Sequence, residues 1–208
     1  MKNNENGRSM VEMLGVLAII GVLSAGGLAG YSKAMFKHKL NNTMDQITML
    51  VTNIRTMYGT QGNYNGLTKA VAVDLGIVPA VMVDDTTTGT GANATRTVTL
   101  TNPFKGDVDI AEANVNGEHT GFSVTYAGLP NEACIALATA DFGSGAGSGF
   151  IGANIDGQTK GSGTYGESTE GNAYAMGDSG AEGAIKGAIT LCNASAHADN
   201  HSIVWTFY

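Results

Sequence analysis

The chain has 208 residues, of which 43% are hydrophobic, 14% charged and 7% aromatic, with 30 glycines against 3 prolines. So low a charge density excludes a disordered polyelectrolyte, and a net charge of −7 argues against a general nucleic-acid binder. The length suits one domain with a sizeable core, or a smaller domain plus an appendage. The charge itself is divided: residues 1–60 carry six basic and three acidic groups, and residues 61–208 carry five and fifteen.

The appendage comes first. Residues 13–32, MLGVLAIIGVLSAGGLAGYS, are twenty residues without a charge. At about 1.5 Å per residue a helix of that length spans about 30 Å, the thickness of a bilayer core. A short polar start with Lys2 and Arg8 precedes it, the pattern of a secretory signal peptide. Two details count against removal of the whole segment. Glu12 stands at the entrance of the run, where a carboxylate is costly unless paired or kept at the interface. No small-x-small cut followed by a new domain start is present either, and the helical pattern continues past Ala29.

In that continuation Phe36, Leu40, Met44, Ile47, Val51, Ile54 and Tyr58 recur in steps of 4, 4, 3, 4, 3 and 4, a helical stripe. Leu50 and Met57 widen it to the breadth of a face that packs on a domain. No proline interrupts residues 1–78, and Gly59 followed by Gly62 supplies a stop. One helix over about 10–58, on the order of 70 Å long, is expected. Its first half faces lipid and its second half lies on a globular head.

The head, 59–208, reads as α+β, with a sheet packed on the rear half of the long helix. Residues 67–75 suit a short helix closed by Gly76, and 84–95, rich in Thr, Gly, Asp and Asn, read as an exposed loop. Strands are expected at 96–101, 108–114 and 121–127, where β-branched residues lie between turn signals. A helix over 131–141 follows Pro130 and contains Cys134. Gly-rich loops at 143–149 and 157–171 flank a strand at 150–155, and 184–192 is ambiguous between helix and strand. SIVWTFY at 202–208 is the last strand.

Several chemical patterns occur in the head. Gly147-x-Gly149-x-x-Gly152 has the letters of a dinucleotide fingerprint, but it lies in a Gly/Ser run leading into a strand, where no helix N-terminus would meet phosphate. His197 and His201, with Asp199 between them, would share a metal only on a helix; the Asn- and Asp-rich surroundings favour a loop with two solvated histidines. Asp107, Asp109 and Glu112 lack the spacing and central glycine of a calcium loop. No nucleophile elbow or zincin motif occurs. No enzyme, cofactor or metal is expected.

Gly7-Arg8-Ser9-Met10-Val11-Glu12-Met13-Leu14, followed by the apolar run, resembles the N-terminus of type IV prepilins. A second segment, Phe122-Ser-Val-Thr-Tyr-Ala-Gly-Leu-Pro-Asn-Glu-Ala-Cys134, resembles the type IVb pilins, notably PilS-like subunits. The resemblance implies a leader, 1–7, that prepilin peptidase cuts between Gly7 and Arg8. It also implies that Glu12, fifth beyond the cut, directs assembly by pairing with the new α-amino group. The departures are Arg8 as first mature residue and the absence of the mid-helix proline, with Gly21, Gly26, Gly27 and Gly30 in its region. Lys33, Lys37 and Lys39 also stand on the far side of the span, against the positive-inside rule.

For an exported protein, Cys134 and Cys192 as the only cysteine pair imply one disulfide; two separate buried thiols are the alternative. By the resemblance, 134–192 is the partner-facing region. The implied function is a structural subunit of a type IVb-like pilus, in the inner membrane before assembly and extracellular afterwards. Its partners would be identical copies, the peptidase and assembly machinery, and a host or recipient-cell ligand, with no specific nucleic acid. A minor pilin or secretion pseudopilin would share the N-terminus, and a single-span or secreted binding protein is the alternative of another class.

Overall fold

The computed structural model describes residues 10–88, 95–115, 118–140, 142, 149–156, 173–174, 189–193 and 200–208. The chain divides into two compact units, Met1–Asn41 and Asn42–Tyr208. A single helix, α1 (Met10–Tyr58), accounts for the described part of the first unit and opens the second. It ends where the glycines stand: a Cβ on Gly59 would lie 2.7 Å from the Arg55 carbonyl.

In the first unit every α1 residue from 10 to 35 is exposed, large apolar side chains included, from 38% for Met35 to 85% for Met10. In the second unit the helix has a buried face made by Ile47, Leu50, Val51, Ile54 and Tyr58. This is the rear part of the expected stripe; its forward members Phe36, Leu40 and Met44 are only half-buried, and two more residues depart from it. Met57 is 44% exposed, because it falls on the flank of the buried arc beside Tyr58. Thr43, a polar residue outside the apolar pattern, is fully buried.

The head is a mixed layer of one sheet and short helices. After α1 come α2 (Lys69–Asp74), capped by the Thr68 hydroxyl accepting from the Val71 amide, and a 3-10 turn at Ala80–Met82. Then follow β1 (Val83–Thr88), β2 (Thr95–Thr101), β3 (Asp107–Val115), β4 (Glu118–Leu129), α3 (Asn131–Ala138), β5 (Phe150–Ile155), β6 (Ala173–Tyr174) and β7 (His201–Phe207). The sheet order is β1-β2-β3-β4-β7-β5-β6, with every pair antiparallel.

The exposed loop expected at 84–95 is overturned in its first half, which is β1. Val83 to Thr88 pair residue by residue with Leu100 to Thr95. Five of its six residues are exposed, so no buried face marks it in the sequence. Its strand geometry comes from the partner's hydrogen bonds, and threonine tolerates the extended backbone well. α3 is shorter than expected, closing at Ala138. The strand expected at 150–155 forms over those residues. The loop at 157–171, most of the loop at 143–149 and most of the ambiguous stretch at 184–192 lie outside the described residues; of the last, 189–192 are helical.

The core lies on one face of the sheet, built in cross-strand rows. Ile110, Val124, Trp205 and Ala153 stand side by side, as do Val108, Tyr126, Ile203 and Ile155. A third row joins Phe122, Phe207 and Phe150. The aromatic contacts continue out of it: Phe122 meets Tyr64 at 4.8 Å, and Tyr64 meets Tyr58 of α1 at 5.6 Å. Arg55 of α1 stacks over Phe207 at 5.4 Å from the ring centre. These contacts seat the head half of α1 on the sheet, each ring pair adding about 0.5–1.5 kcal/mol beyond its buried area.

Candidate functional site

Glu12 is the acidic residue of the first turn of α1, the end where the helix dipole favours a carboxylate, and it is exposed. Gly7 and Arg8 lie outside the described residues. Beyond Glu12 the helix carries the apolar run, with an 18-residue window of mean hydropathy 2.1 and none of it buried. An uncharged helix face of that extent is stable only against lipid or other apolar protein surface.

Cys134 of α3 and Cys192 are bonded, with Cα atoms 5.8 Å apart and both residues fully buried. The expected pairing is therefore present. The bond ties the start of α3 to the helical turn at 189–192, across 58 residues of sequence.

Close to the bonded segment, His201 departs from expectation. It is not a solvated loop histidine but the first residue of β7, fully buried. Its Nδ1 meets Asp156 Oδ2 and its Nε2 meets Asn131 Oδ1. The other Asp156 oxygen accepts the Ser202 amide at 2.8 Å. Asp156 adopts a left-handed φ of 55°, which short polar side chains tolerate best. The end of β5, the start of α3 and the start of β7 are thus tied at one buried polar point. Periodicity gave no sign of this; a histidine opening an apolar strand was the available signal. His197 and Asp199 lie outside the described residues.

The other weighed residues do not converge. Asp109 is 3.8 Å from Lys69, whereas Glu112 accepts the Gly66 amide at 2.7 Å and faces His119 at 3.3 Å. Among the described residues no group of three or more His, Cys, Asp or Glu is placed to hold a metal. Gly152 lies inside β5, in a strand and not at a helix N-terminus.

Three further devices in the head escaped the sequence. Arg96 reaches Asp85 of β1 at 2.8 Å and Asp74 of α2 at 2.8 Å, pinning the edge strand. Its guanidinium holds the Asp85 carboxyl below the ordinary carboxylate value. Arg55 donates through Nε to the Tyr208 carbonyl at 3.0 Å, while the Tyr208 amide donates to Gly149 at 2.7 Å. Gly106 lies so close to β4 that a Cβ would stand 1.8 Å from the Ala127 carbonyl. The buried Asn102 side chain completes that crossing by donating to Ala127 at 2.7 Å.

The disulfide-closed α+β head, with the second half of the long helix, matches a known family. The bundlin model aligns with residues 33–208. The chain belongs to the bundlin family. The head, and not only the N-terminal helix, carries the match. The major structural subunit of bundle-forming pilus of Escherichia coli O127:H6 (strain E2348/69 / EPEC) is 28% identical over 199 residues, which are 96% of this chain and 90% of that protein. TcpA, a type IV pilin from Vibrio cholerae El Tor biotype, aligns over 82% of this chain and 99% of its own at 15% identity and TM-score 0.50. A type IV b pilin from Salmonella typhi aligns over 81% of this chain and 97% of its own at 20% identity and TM-score 0.47. The expected pilin character and α+β pilin fold are borne out, and the matched family is a structural one rather than an enzyme family.

Proposed function

We propose that this chain is the structural subunit of a type IVb-like pilus, held in the inner membrane by residues 13–32 and then polymerised through α1. The observation that carries the reading is the unbroken exposure of α1 over residues 10–35, in a family with a pilus major subunit among the chain's relatives. A lipid-like helix that leaves the bilayer must bury its apolar surface elsewhere, and other copies of the same helix supply that surface. Repeated head-to-tail contact whose rotation does not close yields a filament.

Processing and register complete the proposal. A peptidase cut after Gly7 leaves Arg8 first and creates an α-amino group four residues before Glu12. In a fibre core a carboxylate needs a partner, and this amine, with the Arg8 guanidinium beside it, is the candidate. Glu12 then sets the stagger of each incoming subunit. The 134–192 region of the head is left to face neighbours or a cell-surface ligand.

The test uses Glu12→Ala as the only copy in the cell. It inserts and is cut like the wild type, since neither step uses the carboxylate, yet sheared filaments contain little or none of it. Mass spectrometry of the mature protein finds Arg8 at the N-terminus, and a bulky residue at position 7 prevents the cut. Wild-type filament yield from Glu12→Ala would refute the role of that residue. An N-terminus near residue 30 would refute the whole reading.

A further inference from the structure

Lys33 and Lys37 stand on α1 just past the apolar run, and the core of the pilus reading makes no use of them. They are four residues apart, so they share one helix face a turn apart, and both side chains are exposed. His38 and Lys39 follow. Between Glu12 and Asp45 there is no acidic residue, so no carboxylate of that stretch offsets the charge of Lys33 and Lys37.

Their depth follows from helix geometry. If residues 13–32 fill a hydrocarbon layer of about 30 Å, the polar headgroup zone on each side adds roughly 5–7 Å. With a rise of about 1.5 Å per residue, the Cα of Lys33 lies about 1.5 Å beyond the run and that of Lys37 about 7.5 Å. Flexible lysine stems adjust by several ångströms, so both ammonium groups reach the phosphate level. Tilting the helix draws them closer still. Orientation does not explain them, because with an exported head they occupy the side that the positive-inside rule leaves poor in lysine. An ammonium at this depth is a point-charge partner for a phosphate.

We propose that Lys33 and Lys37 bind the phosphates of anionic phospholipid headgroups in the leaflet on the head side of the membrane, fixing the depth of the subunit before assembly. The inference rests on the reading of residues 13–32 as a membrane span. It adds a lipid partner and a step to assembly, in which these headgroups are released as the subunit leaves the bilayer.

The full-length protein, reconstituted into phosphatidylcholine vesicles with trace spin-labelled phosphatidylglycerol or spin-labelled phosphatidylcholine, tests it. The spectrum of the lipid immobilised by the protein gives the preference for one headgroup over the other. The wild type prefers phosphatidylglycerol at low salt, and the preference is lost near 1 M salt, where screening falls to about 3 Å. Lys33→Gln and Lys37→Gln each lower it, by up to about fivefold, and the double variant lowers it further than either. Lys33→Arg/Lys37→Arg retains it. An inserted wild-type protein with no headgroup preference overturns the inference while leaving the span intact. A protein that enters neither membrane overturns both. A double Gln variant with unchanged lipid preference but lost filaments also overturns it, by assigning the lysines to a neighbouring subunit.

Discussion

Replacing both Cys134 and Cys192 by alanine tests how the head is held together. The bond closes a loop of 58 residues, and at that length the chain-entropy relation gives a stabilisation of about 4 kcal/mol at 25 °C. That is a large share of the roughly 5–15 kcal/mol that ordinary domains possess. Because the effect acts on the unfolded chain, the variant keeps its native sheet and loses stability chiefly by gaining unfolded conformations. Trp205 provides the readout: it is the single tryptophan, 1% exposed, against Tyr126 at 5.8 Å and Phe142 at 5.4 Å. Its fluorescence in the detergent-solubilised full chain follows urea unfolding of the head. With a slope near 2 kcal/mol per molar urea, the midpoint falls by about 2 M. The slope itself rises in the variant, since its unfolded state is less compact. A loss below about 1 kcal/mol would refute the reasoning, because it would mean that the loop ends stay together without the covalent link.

Other outcomes follow from the head's polar contacts. His201→Leu leaves the Asp156 carboxylate without its imidazole and costs about 3 kcal/mol, whereas Asp156→Asn keeps the acceptor for Ser202 and the left-handed backbone and costs less; equal losses in urea unfolding would contradict the pairing. Tyr126 is fully buried, among the described residues its hydroxyl has no hydrogen-bond partner, and burial holds its phenol above the ordinary value of 10.0. The unfolded state therefore loses its proton first as pH rises past 10, and stability falls by up to about 1.4 kcal/mol per pH unit. Tyr126→Phe removes that part of the slope at little cost near neutrality, and an unchanged alkaline slope counts against the assignment. Asp85, lowered from 3.8 by Arg96, supports β1 at neutral pH, and that support is lost as pH falls below 3.8. Arg96→Gln abolishes the acid-dependent part of hydrogen-exchange protection in β1, a small effect at so exposed a site.

Elements whose cause is local are specified by neighbouring residues alone. The stripe from Ile47 to Tyr58 and the absence of proline specify α1, and the glycines after Tyr58 end it. Alternation of Val108 and Ile110 with Asp107 and Asp109 specifies β3, and SIVWTFY specifies β7. The apolar run, the residues from Gly7 to Leu14 and the segment from Phe122 to Cys134 made the pilin resemblance legible in the sequence. Features that depend on distant partners arise only in the assembled sheet. β1 is an exposed run of Asp and Thr with no buried face, so only the hydrogen bonds of β2 and the reach of Arg96 make it a strand. β7, last in the chain, lies between β4 and β5, an order that local propensity does not contain. That placement buries His201 beside Asp156 and Asn131, residues 45 and 70 positions away. A histidine's burial is a property of what the chain brings to it, and two residues so far apart meet only once the sheet has closed.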